Sequence, residues 1–243
     1  MVESIRFLNY EIEIKRRPRR RNITLCMHPY KKIQVRVNLK ISHKQLIEFL
    51  LSQQAWIEKN LKKFQMLESQ FVRPTMTEGS CYPFLGQLKY LQFSTTTGKH
   101  SFFKLEEGFL IYHRPHLENI RTDFSNEFYK KLHLFYKLEA EAYLNSKVKE
   151  WSDQTGLVPS KLKFRSHQAR WGSCSSNQHI ILNWKMICLS PVLIDYVIVH
   201  ELCHLKHLNH SKEFWALVES FFSSYKESKQ VLQKQEHFCR FLS

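Results

Sequence analysis

No segment of this sequence is apolar for long enough to cross a bilayer. The longest apolar stretch of its 243 residues, Val192 to Val199, is interrupted by Asp195, whereas a membrane span requires ~18 such residues. The N-terminus, MVESIRFLNYEIEIK, has no apolar run followed by small residues and so carries no secretory signal pattern; a cytoplasmic location without membrane contact is expected. Six cysteines are scattered with no CxxC pair, and a chain this long does not need disulfide staples, so reduced thiols are expected. Acidic residues are also short: 22 Asp and Glu stand against 37 Lys and Arg, a net charge of +15. Six of the positive residues crowd between Lys15 and Arg21, which leaves two readings open, a solvated basic strand or a surface for nucleic acid.

What the chain does contain is apolar patterning. With 43% hydrophobic residues and 14% aromatics a packed core is within reach. Residues 23 to 39 show two strand-like runs about a polar turn near His28 to Lys32, which predicts a hairpin. Ser42 and Gln45 form a capping box, and Leu46, Phe49, Leu50, Trp56, Ile57 and Leu61 recur at helical spacing, predicting one helix from Ser42 to Phe64. Between Cys81 and Arg114, three runs separated by TTTGK and EEG read as an antiparallel meander. A long helix is expected from Ser125 to Asp153, with Phe128, Leu132, Phe135, Leu138, Ala142, Val148 and Trp151 inward and Gly156 as its stop. Then come a strand KLKFR, a turn RWGSCSSN, a strand HIILNWKMI, and Ser190-Pro191, an N-cap before the proline favoured at the first helical position. No internal repeat is visible.

The helix opened at Ser190 holds HELCH, residues 200 to 204. Histidines four apart project from one helix face and can share one ion. Zn²⁺ accepts neutral imidazole nitrogens, and a catalytic site needs three protein ligands with a position left open. Glu201, beside the first ligand, is placed to take a proton from an attacking water and pass it to the leaving group. The HExxH pattern arises by chance in roughly 5% of chains of this length and composition, so its surroundings decide. Here the helix is capped and apolar nearly all round (PVLIDYVIV), as a buried helix would be. Asn209, a residue that tolerates the left-handed conformation, predicts a chain reversal that delivers His210 as third ligand, completing HExxHx5H. Glu213 and Glu219, in the following helix, remain alternative ligands. His207 points away from the pair, and Cys174 is superfluous once three histidines are in place. Arg170 either stabilises an oxyanion or holds its own turn. Asp195, in the first turns of the helix, suits the helix dipole and is also open to a role behind the ligands.

RWGSCS (Arg170 to Ser175), ILNW (Ile181 to Trp184) and DYVIVHELCHLKHLNHSKEFW (Asp195 to Trp215) together resemble the YgjP-like metallopeptidase family, also described as domain of unknown function 45. The similarity extends to KRRPRRRNITLCM, WIEKNL and YPFLGQLKYL, and so over almost the whole chain. It implies a zincin-like C-terminal domain with His200, His204 and His210 on the metal and Glu201 as base. Family names point both to peptide hydrolysis and to a pyrophosphatase acting on UTP. The chain departs from the usual pattern at Cys203, where a small residue such as Ala is typical, and at His207.

The expected fold is α+β: a mainly antiparallel N-terminal β part with a helix over residues 1–118, then a long connecting helix and the metallohydrolase domain with the HExxH helix over 119–243. The expected activity is that of a peptidase carrying one Zn²⁺ per chain, with strand HIILNWKMI lining the cleft by backbone pairing and with Glu201 and Arg170 in catalysis. A nucleotide pyrophosphatase, and a hydrolase recruited to nucleic acid by its basic N-terminal part, are the alternatives. The partners are accordingly a peptide or protein substrate, or a nucleotide, with nucleic acid on the basic surface.

Overall fold

A computed structural model of the chain describes residues 3–8, 10–19, 22–27, 33–70, 74–115, 124–167, 170–235 and 242. The chain divides into two compact units, Met1–Arg73 and Pro74–Ser243.

In the first unit, β1 (Glu3–Phe7), β2 (Tyr10–Arg17), β3 (Thr24–Cys26) and β4 (Ile33–Asn38) form a sheet of order β1-β2-β4-β3, followed by α1 (His43–Ser52) and α2 (Gln54–Gln70). Strand alternation sorts the side chains: Ile12, Ile14, Ile33, Val35 and Val37 are buried in one cluster with Leu46, Leu50 and Ile57 of the helices. The β3/β4 pair is the expected hairpin, although its turn, His28 to Lys32, lies outside the described residues. The capping box is present, with Ser42 Oγ accepting from Gln45 N–H at 3.2 Å and Gln45 Oε1 accepting from Ser42 N–H at 3.0 Å. The single helix expected here is two. Gln53 interrupts it: its N–H still bonds to the carbonyls of Phe49 and Leu50, while its own carbonyl accepts from Ile57 N–H and opens α2. The break brings Ile57 inward and leaves Trp56, expected on the apolar face, exposed.

In the second unit, β5 (Cys81–Phe84), β6 (Gln87–Thr96), β7 (Phe102–Glu106) and β8 (Phe109–Pro115) have the order β5-β6-β8-β7. This corrects the meander: β6 and β8 run parallel, with β7 on the outer edge. A meander would pair β6 with β7. Instead the β7/β8 hairpin folds back and seats Leu110 and Tyr112 of β8 centrally, in the core with Phe103 and Phe128. The first sheet repeats this arrangement, with an antiparallel hairpin, a parallel central pair and an antiparallel edge strand in the same order. A repeat invisible in the residues therefore exists in the topology.

Helix α3 (Phe124–Thr155) follows the expected limits, and Gly156 ends it at φ +69° with its N–H on Ser152 O. Its buried face is Phe128, Leu132, Phe135, Tyr136, Ala140, Leu144 and Val148; Leu138, 56% exposed, and Ala142 lie outside that stripe. The inward stripe follows four-residue steps from Leu132 to Val148, which carry it past Leu138 and Ala142. Next come β9 (Lys161–Arg165), β10 (Gly172–Cys174), β11 (His179–Asn183), a 3₁₀ helix over Trp184–Cys188, and α4 (Pro191–Cys203), α5 (Lys212–Phe221) and α6 (Tyr225–Gln235). Strand β11 is central in the order β10-β11-β9. The expected long strand HIILNWKMI stops at Asn183, whose side chain accepts from Lys185 N–H and starts the 3₁₀ helix.

The expected boundary at 118/119 falls outside the described residues, and the compact units divide at 73/74 instead. The physical reason is a shared core: Tyr82, Phe84, Leu91 and Leu110 of the second sheet are buried in one cluster with α3 and α4. At the β5–β6 turn, Leu85 and Gly86 both take positive φ (48° and 75°), as a tight two-residue hairpin requires. Leu85 N–H donates to Ile187 O at 2.6 Å, and a Cβ on Gly86 would sit 2.7 Å from Ser190 Cα. The hairpin thus presses on the start of α4. No helix among the described residues is long and apolar enough to cross a membrane.

Candidate metal centre

Helix α4 starts where Ser190-Pro191 predicts, with Ser190 extended at the N-cap, although its hydroxyl makes no capping bond. Leu193, Ile194 and the run from Tyr196 to Val199 are buried, as are Glu201, Leu202 and Cys203. From the last turns of this largely buried helix His200 and His204 meet His210, which comes from beyond its end. Nε2 of His200 lies 3.2 Å from Nε2 of His204 and 3.1 Å from Nε2 of His210, and the ligand atoms of all three lie within 4.8 Å of one another.

The chain reversal that supplies His210 differs from the expected one. Asn209 does not take a positive φ. Helix α4 stops at Cys203 and tightens, Leu205 N–H donating to Leu202 O and Lys206 N–H to Cys203 O, the i→i+3 pattern that satisfies the last carbonyls of a helix. His204 Nδ1 lies 2.9 Å from His207 O and donates to it, so its Nε2 keeps a bare lone pair toward His200. This is what His207 contributes: a backbone carbonyl. Directly after His210, Ser211 Oγ accepts from Phe214 N–H and caps α5. That cap brings aromatic rings onto the imidazoles: Phe214 stacks on His204 at 4.4 Å and Trp215 on His210 at 5.6 Å between ring centres.

Burial is the main cause holding His200 neutral, with its pKa pushed down to about 3 and the neighbouring His204 and His210 adding to the effect. His204 is pushed down chiefly by burial as well. Three imidazoles whose nitrogens converge at 3.1 and 3.2 Å offer their lone pairs to one point, so the donor set fits a divalent metal. Among the described residues no other group of three such side chains converges in this way.

Glu201 is 6% exposed, and its Oε2 has no hydrogen-bond partner among the described residues. Burial raises its carboxyl to about 8, with the Arg170 charge pulling the other way. Strand β10 crosses directly over it: a Cβ on Gly172 would lie 2.6 Å from Glu201 Cγ and Oε1. Only glycine leaves room for the carboxylate. RWGSCSSN, expected as a turn, is a strand over Gly172–Cys174, and the reversal is confined to its end, where Gln178 takes φ 58° and its N–H donates to Ser175 O. Asn183 completes the frame, its amide donating to the carbonyls of His167 (2.9 Å) and Arg170 (3.1 Å).

The remaining expected residues are distributed as follows. Arg170 is exposed, near enough for its charge to be felt by Glu201. Cys174 also senses Glu201 and is raised to about 11, mainly by burial; it stands outside the histidine cluster. Asp195 faces α3, where it accepts from Trp151 Nε1 at 3.0 Å and pairs with Lys147 at 3.4 Å. Glu213 is bound to Ser211, and Glu219 pairs with Lys226 at 3.1 Å, so neither joins the cluster. A cleft of about 360 Å³ lined by Trp215, Tyr225, Lys226, Lys229, Gln230 and Gln233 borders the histidines through Trp215.

Solved structures that resemble part of the chain include two metallopeptidase zymogens. The metallopeptidase zymogen abylysin of Pyrococcus abyssi is 23% identical over 38% of this chain and 93% of its own, with a TM-score of 0.35. The metallopeptidase zymogen jannalysin of Methanocaldococcus jannaschii is 22% identical over 37% of this chain and 95% of its own, with a TM-score of 0.34. No curated protein matches the chain. Residues 21–235 match the model described as YgjP-like, metallopeptidase domain, and the chain belongs to that family of hydrolases.

Proposed function

We propose that this protein is a zinc peptidase in which His200, His204 and His210 hold the metal and Glu201 is the general base. The observation that carries the reading is the juxtaposition of three convergent imidazoles with the buried carboxylate of Glu201, next to the first of them, whose Oε2 has no partner among the described residues. Nitrogens bound at ~2.0–2.1 Å around a tetrahedral zinc stand ~3.3 Å apart, and the spacings of 3.1 and 3.2 Å agree with that. When bound there, the metal supplies Lewis acidity to a scissile carbonyl and to water.

The chain's own residues do the rest. Glu201 takes the proton of the attacking water and delivers it to the departing amine. Arg170, at the mouth of the site, supplies positive charge for the oxyanion. The substrate backbone cannot pair with β11, which has β10 on one side and β9 on the other. Strand β10 is the better candidate. Asn183 N–H donates to Trp171 O and Ser175 N–H to His179 O, so residues 171 and 175 face β11 and the backbone groups of Gly172 and Cys174 point outward. An extended peptide on that edge passes beside Glu201.

The test is elemental analysis of the purified wild type and of His210→Ala, followed by mass-spectrometric cleavage profiling of a mixed peptide library with the wild type and Glu201→Gln. The reading expects about one zinc per wild-type chain, strong loss in His210→Ala, and zinc without cleavage in Glu201→Gln. A wild type that takes up no zinc when supplied with it, or a Glu201→Gln variant that still cleaves, overturns it.

A further inference from the structure

Residues 1–73 contain 16 of the 37 Lys and Arg but only 6 of the 22 Asp and Glu. This gives them +10 of the total +15 in under a third of the length. The fold of the first unit sorts this charge. Along β2, alternation turns Arg16 to the same face as Ile12 and Ile14, where it bonds Glu3 at 2.7 Å and Ile41 O at 3.0 Å. Arg16 is structural. Lys15 and Arg17 project from the opposite face, and the parallel register puts Lys15 beside Arg36 and Arg17 beside Asn38, with Thr24 next to Arg36 on the far side. Arg19 continues from this corner two residues beyond β2, exposed and at φ 62°. Adjacent strands are ~4.8 Å apart and alternate residues of one strand ~6.6 Å, so these cations occupy a patch little more than a nanometre across. Among the described residues Lys15 has one acidic neighbour, Glu13 at 3.6 Å, and Arg17, Arg19 and Arg36 have no ion pair.

We infer that the outer face of this sheet, at the corner formed by Lys15, Arg17, Arg19 and Arg36, is a docking surface for the phosphate backbone of double-stranded nucleic acid. Charge complementarity selects a polyanion, and the neighbours of the cations select among polyanions. A membrane surface would be met by several exposed apolar anchors interleaved with basic residues, whereas here Thr24, Gln34 and Asn38 lie beside the arginines and Leu39, after Asn38, is the single large exposed apolar residue next to them among the described residues. Single strands are held by bases stacking on aromatic rings, yet Tyr10, the only aromatic residue of β2, belongs to the inner cluster. Arginines with polar neighbours and, among the described residues, no ring beside them suit contacts to phosphates, which position a duplex without reading its sequence. The surface lies wholly within the first unit, and its existence does not depend on the metal centre.

The experiment is fluorescence anisotropy of a labelled 20-base-pair duplex, prepared as RNA and as DNA, titrated with the full-length protein between 50 and 200 mM salt. Four phosphate contacts give a slope of log K against log salt near −3 to −4, a loss of about 100-fold over that range. In Arg17→Gln/Arg36→Gln the slope shrinks by about 2, and affinity at 50 mM falls at least tenfold. Lys130→Gln/Lys131→Gln, two cations removed from α3, leaves binding unchanged, and Arg17→Lys/Arg36→Lys restores it, since a phosphate contact needs charge rather than a fork. Absence of binding at 50 mM overturns the inference, as does an equal effect of both Gln pairs. Capture by phosphatidylserine vesicles without duplex binding also overturns it, in favour of a membrane surface.

Discussion

Replacing Glu201 by Gln removes a titration that the fold itself has distorted. In the metal-free protein the carboxyl is buried, and burial raises its pKa from 4.5 to about 8. The folded state then binds the proton more tightly than the unfolded chain does. Stability from this group is fully present below pH ~4.5, is lost as pH rises toward 8, and is gone above that. At ~1.4 kcal/mol per pKa unit the loss has a ceiling of about 5 kcal/mol; water entry and relaxation around a buried charge reduce this to an expected 2–3 kcal/mol. Gln keeps the shape and never ionises. The stability of Glu201→Gln minus that of the wild type, measured by thermal or urea unfolding with chelator present, should therefore be near zero at pH 5. It should climb to about 2–3 kcal/mol by pH 8.5, or roughly 4–12 °C in melting temperature for a chain of this size. Other groups titrate in both proteins and cancel in the difference. A difference that stays flat from pH 5 to 9 would mean that Glu201 ionises as freely as in the unfolded chain, and the argument for a desolvated base would fail with it.

Gly172→Ala forces a methyl to within 2.6 Å of the Glu201 side chain; it should cost ~1–3 kcal/mol in unfolding, leave zinc content unchanged and reduce peptide cleavage at least 100-fold. Asn183→Ala leaves the carbonyls of His167 and Arg170 and the N–H of Lys185 without its amide, for an expected loss of ~2–3 kcal/mol in urea unfolding. Asp195→Ala removes the acceptor of Trp151 Nε1 and the partner of Lys147. It should destabilise by ~1–2 kcal/mol while zinc stoichiometry stays that of the wild type, and a lost metal would assign Asp195 to the centre after all. Tyr136→Phe deletes the buried bond from its hydroxyl to Pro83 O and should lower stability by about 1 kcal/mol, read as a shift in denaturation midpoint.

What the sequence makes legible and what it hides follow from the range of the interactions involved. HExxH needs only helical periodicity to bring His200 and His204 together, and the Ser211 cap that delivers Phe214 and Trp215 onto the imidazoles is local too. The capping box at Ser42 and the glycine stop at Gly156 are of the same kind, each decided within four residues. Strand pairing is not. Nothing near Gln87–Thr96 states that its partner is Phe109–Pro115 in parallel and not the nearer Phe102–Glu106; that choice belongs to Phe103, Tyr112 and Phe128, which meet only in the folded core. The strands of the first hairpin, Glu3–Phe7 and Tyr10–Arg17, carry the alternating signal in Ile5, Phe7, Ile12 and Ile14, but the charged residues between them also resemble a solvated segment.

Gly172 is the clearest case of a constrained position hidden by its own chemistry. Between Trp171 and Ser173 a glycine reads as turn punctuation, and its lack of a side chain gives no hint of a partner. Its role is defined by Glu201, 29 residues further on, whose carboxylate occupies the space a Cβ would fill. The same contact joins the two features on which the peptidase reading depends, because the residue that makes room for the base also turns its backbone to the open edge of β10. An alanine there would crowd the base while leaving the edge hydrogen bonds intact. The cleavage defect of Gly172→Ala should therefore fall on kcat, with KM little changed. A rise in KM at constant kcat would instead place the substrate on this edge without bringing it to Glu201.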